Sequence, residues 1–307
     1  MRILCVGLSA TIQRTICFDS FSAGAINRSA KWREDASGKA LNAARVLNQI
    51  EDGCSVAICP VGKENADAFL ALASRDSDLH IQPIFIEGRT RECWTLLDKE
   101  HGTTTELVAD EPESASQIAG GETERDLIDA VQSCMERCDA LLLAGSRPAA
   151  WTEGIFARIC GIAHKAGKPV LADFRGKDLL GALEVCAPQI IKINEDEFCQ
   201  TFGGAFLSEE GLADEIAGKS RELRNIIVVT RGEKDTLAAQ NGEKFRCPAE
   251  KITPVNTTAC GDSFDAGFLH EYLAGKNVGA ALKAGTHAAA LNAENVVPGA
   301  IVRERRS

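Results

Sequence analysis

The residues best suited to chemistry lie in the stretch Asn256-Thr257-Thr258-Ala259-Cys260-Gly261-Asp262-Ser263-Phe264-Asp265-Ala266-Gly267. Ala259, Cys260 and Gly261 are small and lead into an apolar helical pattern (Phe264, Phe268, Leu269, Tyr272, Leu273) that ends near Gly275. Backbone amides of a small-residue turn at a helix N-terminus converge and carry partial positive charge, so they can form an anion hole. Asp262 stands at its mouth. A carboxylate placed there can accept the proton of a hydroxyl that attacks a bound phosphoryl group. An isolated Gly-Asp-Ser is equally an ordinary helix cap, so the rest of the chain has to decide. A second stretch, Ala36-Ser37-Gly38-Lys39-Ala40-Leu41-Asn42-Ala43-Ala44-Arg45, turns at Gly38 and presents Lys39 and Asn42 at the start of another helix. That arrangement suits a hydroxylated, anionic ligand; a capped helix with a solvated lysine reads the same residues without one.

The elements that must position these segments follow from the hydrophobic pattern. Continuous apolar runs read as strands at Ile3–Gly7, Val56–Cys59, Ile84–Ile86, Ala140–Ala144, Val170–Ala172, Ile190–Ile193 and Ile226–Thr230. Amphipathic stretches such as Asn42–Ile50 and Glu122–Arg137 come between them. Buried strands alternating with helices predict a mostly parallel sheet covered on both faces, a three-layer α/β/α sandwich. Two polar, alternating regions, about 11–34 and 88–107, read instead as half-exposed antiparallel strands. They are expected to form a small β-sheet lid over the edge of one domain spanning 1–307.

The 307 residues can bury a large core without disulfides or metal. A formal net charge of −10 argues against a general nucleic-acid binder, which needs a broad basic face. The first ten residues hold only a brief apolar run, too short for a signal core or a membrane span. Among the 12 cysteines there is no Cys-x-x-Cys, and Cys134 and Cys138 have no nearby histidine. Buried free thiols in a reducing cytoplasm are therefore expected. No Gly-x-Gly occurs among the 27 glycines, which excludes the dinucleotide fingerprint and the protein-kinase glycine loop. Gly161 to Gly167-Lys168 has the wrong spacing for a P-loop, and Gly7-Leu8-Ser9-Ala10-Thr11 lacks the closing glycine of a nucleophile elbow.

The two chemical segments, in this order and about 220 residues apart, resemble the PfkB (ribokinase-like) carbohydrate kinases. The resemblance covers essentially the whole chain and is strongest to the branch of 1-phosphofructokinase and tagatose-6-phosphate kinase. Ala23-Gly24-Ala25-Ile26-Asn27-Arg28 resembles that branch's lid segment, as do Arg89-Thr90-Arg91 and Thr104-Thr105-Glu106-Leu107. Ala144-Gly145-Ser146-Arg147-Pro148, Asp173-Phe174-Arg175-Gly176, Lys192-Ile193-Asn194-Glu195-Asp196-Glu197 and Val229-Thr230-Arg231-Gly232 resemble further family segments in the family's order.

The resemblance implies ATP- and Mg²⁺-dependent phosphorylation of a ketohexose phosphate. Asp262 would be the base, and Ala259, Cys260 and Gly261 the anion hole. Lys192, Asn194, Thr230, Gly232 and Gly261 would meet the nucleotide, with Asn194 and Glu197 positioning magnesium through water. Gln13, Arg28, Gly38, Lys39, Asn42, Arg91 and Ser146 would meet the acceptor, the three cations gripping its phosphate. It also implies a lid that can pair two copies into a homodimer, and small-molecule partners rather than nucleic acid or membrane. Three positions depart from the family. Gln13 stands where it has a sugar-holding aspartate, Ala259-Cys260 replace Gly-Ala, and Asp235 replaces a glycine. Two other readings stay open: a ribokinase-like kinase of an unphosphorylated sugar or nucleoside, and a non-catalytic sugar- or nucleotide-binding protein.

Overall fold

In a computed structural model, residues 1–75, 79–110, 118, 120–204 and 208–302 are described; 303–307, the end of the expected domain, lie outside them. The main sheet holds β1 (Ile3–Val6), β4 (Ser55–Gly62), β5 (Ile81–Ile86), β8 (Ala140–Ala144), β9 (Val170–Asp173), β10 (Ile190–Asn194), β11 (Ile226–Thr230), β12 (Thr236–Gln240) and β13 (Glu243–Cys247). Their order is β13-β12-β11-β10-β9-β8-β1-β4-β5. All neighbours run parallel except at β11–β12 and β12–β13. The seven strands expected from apolar runs are all present. The antiparallel pair β12–β13 escaped the sequence reading because β13 is edge-exposed and charged, Glu-Lys-Phe-Arg-Cys, which leaves no apolar run to detect.

Alternation along the strands divides the core in two. Leu4, Val6, Ile58, Leu141, Leu143, Ile191, Ile193, Ile227 and Val229 face one layer of helices. That layer comprises α3 (Glu122–Met135), α4 (Ile155–Lys165), α5 (Gly176–Val185), α6 (Glu195–Phe202) and α7 (Glu209–Leu223). Ile3, Cys5, Ala57, Cys59, Leu142, Leu171, Ile190 and Val228 face the other, made of α1 (Lys39–Ile50), α2 (Ala66–Ala73), α8 (Cys260–Gly275) and α9 (Val278–Ala293). The three-layer sandwich expected from sequence is the observed architecture. α8 is buried almost throughout its first ten residues, as a helix wedged between α1, α9 and the sheet must be. Its contact with α9 is close enough that a Cβ on Gly267 would lie 2.6 Å from the Ala284 carbonyl oxygen.

The lid is a separate sheet of β2 (Thr11–Phe18), β3 (Trp32–Ser37), β6 (Arg91–Asp98) and β7 (Thr103–Val108), in the order β3-β2-β6-β7. β2–β3 and β6–β7 are antiparallel as expected, but the central pair β2–β6 is parallel. The reason is topological. The two hairpin-like units follow β1 and β5, strands of the main sheet that run parallel, so both units leave it from carboxyl ends and their first strands enter the lid in the same direction.

Candidate active site

The strand order changes direction at β1, which has β4 on one side and β8 on the other. The crevice beyond the carboxyl ends of parallel strands at such a point is where open α/β sheets bind ligands. Here it is walled by the ends of β8–β11, the starts of α1 and α8, and the lid. Gly38 makes the entry to α1 possible: its φ is 133°, and a Cβ would stand 3.0 Å from the Ser9 carbonyl oxygen. Ala259, with φ 66°, is the N-cap residue of α8 and offers no side-chain cap. Asp262 is therefore not the cap but the third residue of the helix. The amides of Gly261 and Asp262 find no carbonyl partner among the described residues, as expected at a helix start.

Asp262 is 6% exposed, and its Oδ2 accepts a hydrogen bond from Asn42 Nδ2 at 2.9 Å. Two more buried aspartates lie beside it. One carboxylate oxygen each of Asp173, Asp262 and Asp265 fall within 4.8 Å of one another. Two ammonium groups interleave them. Lys39 Nζ reaches Asp173 Oδ2 at 2.8 Å, while the buried Lys192 Nζ lies 3.5 Å from Asp173 Oδ2 and 3.4 Å from Asp265 Oδ2. The two ammonium groups supply the cluster with the positive charge that a divalent cation would otherwise bring. Gly261 is small beside one of them: a Cβ there would be 3.0 Å from Lys192 Nζ.

Three carboxylates against two ammoniums leave the cluster short of positive charge, and the burden falls unequally. Burial would raise Asp173, but Lys192 and Lys39 outweigh it and hold its carboxyl well below the usual range. Burial raises Asp262, with Lys39 and the Asn42 hydrogen bond opposing it only in part. Burial and the charges of Asp173 and Asp262 push Asp265 far up against the pull of Lys192, and its Oδ1 has no partner. Both lysines are held above their ordinary value: burial works against them, but the aspartates prevail. A carboxyl raised by desolvation is a better proton acceptor once ionised than one exposed to water.

The lid comes down on this centre. Gln13, 5% exposed, donates from Nε2 to Thr95 Oγ1 at 2.8 Å, and Thr95 Oγ1 lies 3.4 Å from Thr258 Oγ1. Thr258 also donates to Glu106 Oε1 at 2.6 Å. Arg91 stands at the base of β6, in register with Thr11, which pairs in turn with Ser37. Arg28 is exposed in the lid turn, and Ser146 is exposed just past β8. Lys39 thus joins the aspartate cluster through Asp173 at the end of β9, while Arg28 and Arg91 are carried by the lid segments. Lys192, expected at the nucleotide, is likewise buried beneath the first turn of α8.

On the other side, Asn194 and Thr230 are register partners at the ends of β10 and β11, and Gly232 follows in an exposed turn with φ 63°. Asn194 and Glu197 form a reciprocal capping box on α6: Glu197 N donates to Asn194 Oδ1 at 2.8 Å and Asn194 N to Glu197 Oε2 at 3.0 Å. Their three-residue spacing therefore has a local structural cause. The second carboxylate oxygen, Oε1, stays outside the box, 3.5 Å from Arg175 Nη1.

Asp173 and Asp265 were not singled out as site residues from sequence. Asp265 carried a signal nonetheless, as a second aspartate one helical turn after Asp262 on a face otherwise apolar. The 12 cysteines are all free. Burial pushes Cys59 and Cys160 up to about 12 and Cys138 up to about 11, where they stay protonated at neutral pH. Among the described residues no helix is long and apolar enough to cross a membrane.

A family model for pfkB family carbohydrate kinases matches residues 1–302, and the chain belongs to that family. It is a carbohydrate kinase, which removes the non-catalytic reading. Among solved structures it is similar to a possible 1-phosphofructokinase from Thermotoga maritima, at 18% identity and a TM-score of 0.86, covering 97% of this chain and 93% of that one. It is also similar to phosphofructokinase-2 from Escherichia coli in complex with fructose-6-phosphate, at 16% identity and a TM-score of 0.80, covering 94% and 92%. A carbohydrate kinase from Agrobacterium tumefaciens is 24% identical with a TM-score of 0.71, covering 97% and 92%.

Proposed function

We propose that the protein transfers the γ-phosphoryl group of ATP to a hydroxyl of a ketohexose phosphate, with Asp262 as general base. The observation that carries this reading is Asp262 itself: buried, hydrogen-bonded by Asn42 and set in the first turn of α8 beside amides without carbonyl partners. Asp262 takes the acceptor hydroxyl's proton, while the Gly261 and Asp262 amides hold charge on the transferring group; the Cys260 amide donates instead to the Thr257 carbonyl oxygen. Lys39, paired with Asp173, adds positive charge beside the reacting atoms. Thr230 and Gly232 line the nucleotide's path, and Lys192 supplies buried positive charge beneath its phosphates. Magnesium, when bound, neutralises phosphate charge. Glu197 Oε1, outside the capping box, together with Asn194 suits it through water, which that ion sheds reluctantly. Arg91 and Arg28 grip a phosphate already on the acceptor, with Gln13, Gly38, Asn42 and Ser146 around its hydroxyls.

The pairing of Lys39 with Asp173 favours a second reading, an unphosphorylated sugar or nucleoside, since one of the three expected phosphate-binding cations is engaged elsewhere. Turnover with magnesium and ATP decides between them, measured on fructose 1-phosphate, fructose 6-phosphate, tagatose 6-phosphate, fructose, ribose and adenosine. Turnover confined to a phosphosugar and lost in Arg91→Ala supports the first; turnover of neutral acceptors alone, indifferent to Arg91→Ala, overturns it. We further assign the protein to a reducing cytoplasm, which its free thiols suit, and to a homodimer through the lid. Trp32, Leu107 and Val108 leave 59%, 51% and 58% of their surface exposed on that sheet. Light scattering of the wild type against Trp32→Ser tests the pairing.

A further inference from the structure

An asparagine amide can face a carboxylate with its nitrogen, which donates, or with its oxygen, which repels. At Asn42 the choice is made from behind. Its Oδ1 accepts from Arg45 Nη1 at 3.1 Å and from Ser37 Oγ at 3.0 Å, leaving Nδ2 for Asp262. A guanidinium has no acceptor and keeps its charge at any working pH, so beside it only the amide oxygen is tolerated. Arg45 is 4% exposed and fixed in turn. Nη1 also donates to the Pro298 carbonyl oxygen at 2.9 Å, and Nη2 to that of Ala36 at 2.6 Å. The next residue, Gly299, has φ 75°, and a Cβ on it would lie 3.0 Å from the Asn42 carbonyl oxygen and 3.3 Å from Arg45 Nη1. Gly299 N donates to Asn292 Oδ1 at 2.7 Å, and Asn292 Nδ2 donates to the Thr258 carbonyl oxygen at 2.8 Å. One strap thus braces both the residue that holds Asp262 and the loop that leads into its helix.

We infer that Arg45 is a positioning residue for phosphoryl transfer: from behind Asn42 it sets which end of the amide meets Asp262, and so keeps that carboxylate ready to accept the hydroxyl proton. The inference rests on the reading of Asp262 as the base. Arg45→Lys retains the charge but offers a single ammonium in place of the planar fork, so the amide is free to turn.

The test is the titration of Asp262 itself, followed by NMR of aspartate labelled with ¹³C at the carboxyl carbon and assigned with Asp262→Asn. Wild type, Arg45→Lys, Asn42→Ala and the double variant are compared, alongside pH profiles of kcat. In Arg45→Lys the Asp262 titration and the acid limb of kcat both move to higher pH. kcat falls between about tenfold and a hundredfold, while KM for ATP holds within about threefold. In the Asn42→Ala background Arg45→Lys adds no further shift. A folded Arg45→Lys whose Asp262 titrates as in wild type overturns the inference, as does an equal shift without Asn42. Should Arg45→Lys fail to fold, Arg45→Gln replaces it, since an amide can donate or accept and no longer imposes the orientation: a shift of Asp262 in the same direction upholds the inference, and an unchanged titration overturns it. Full turnover by Asp262→Asn would instead defeat the base reading, while the titration still decides on Arg45.

Discussion

At the scale of single residues, the centre is a contest between burial and charge in which Asp262 ends on the basic side. Its carboxyl is raised above the ordinary range, chiefly by burial. The base is needed ionised, so kcat falls as pH drops through that raised value, at a higher pH than an exposed aspartate would give. A pH profile of kcat with saturating substrates checks this, and an acid limb at the ordinary aspartate value of about 3.9 would contradict it. Asp262→Asn keeps the hydrogen-bonding shape and removes the base, so kcat should fall by about 10²–10⁴ while nucleotide binding by calorimetry holds. An equal loss of binding would make Asp262 a ligand group instead.

At the scale of elements, the site is built from helix starts, and two of them depend on unusual backbone. Gly38 is required where it stands. Ala259 pays for its left-handed conformation with steric strain of about 1–2 kcal/mol, which glycine would relieve. Ala259→Gly should therefore raise the urea midpoint at an unchanged slope; a lower midpoint would show that the alanine methyl has a packing role. α8 also needs its small residues. Gly267→Val would drive a branched side chain into the Ala284 carbonyl and the Ala288 methyl, both within 3.0 Å of a bare Cβ. The expected loss is about 1–3 kcal/mol or more, seen as a lower melting temperature. These elements were largely legible in the sequence. Apolar runs fix seven strands, and small residues before Phe264 fix the start of α8. What stayed hidden depends on chain segments far apart in sequence. The parallel pairing of β2 with β6, the capture of Lys39 by Asp173, and the grip of Pro298 on Arg45 leave no local pattern to read.

At the scale of the whole molecule, the aspartate cluster ties stability to pH in two opposing ways. Asp173 is depressed in the fold by its lysines. Its contribution is complete above the unfolded value of about 3.9 and is lost as pH falls toward the folded value. Asp262 and Asp265 are raised, so stability is regained as pH falls through their values. Asp173→Asn should accordingly flatten the loss of melting temperature below pH 4, relative to wild type; an unchanged slope there would place the acid lability elsewhere. The strap at Pro298 and Gly299 carries a different consequence, one of timing. Arg45 and Pro298 are 253 residues apart. At a synthesis rate of about 5–20 residues per second, roughly 13 to 50 seconds pass between the making of the two. Throughout that interval α1 can exist with Arg45 held at Ala36 and Asn42 but not at Pro298. The brace on Asn42 is thus completed only after Asp262 and the helix that carries it have been made.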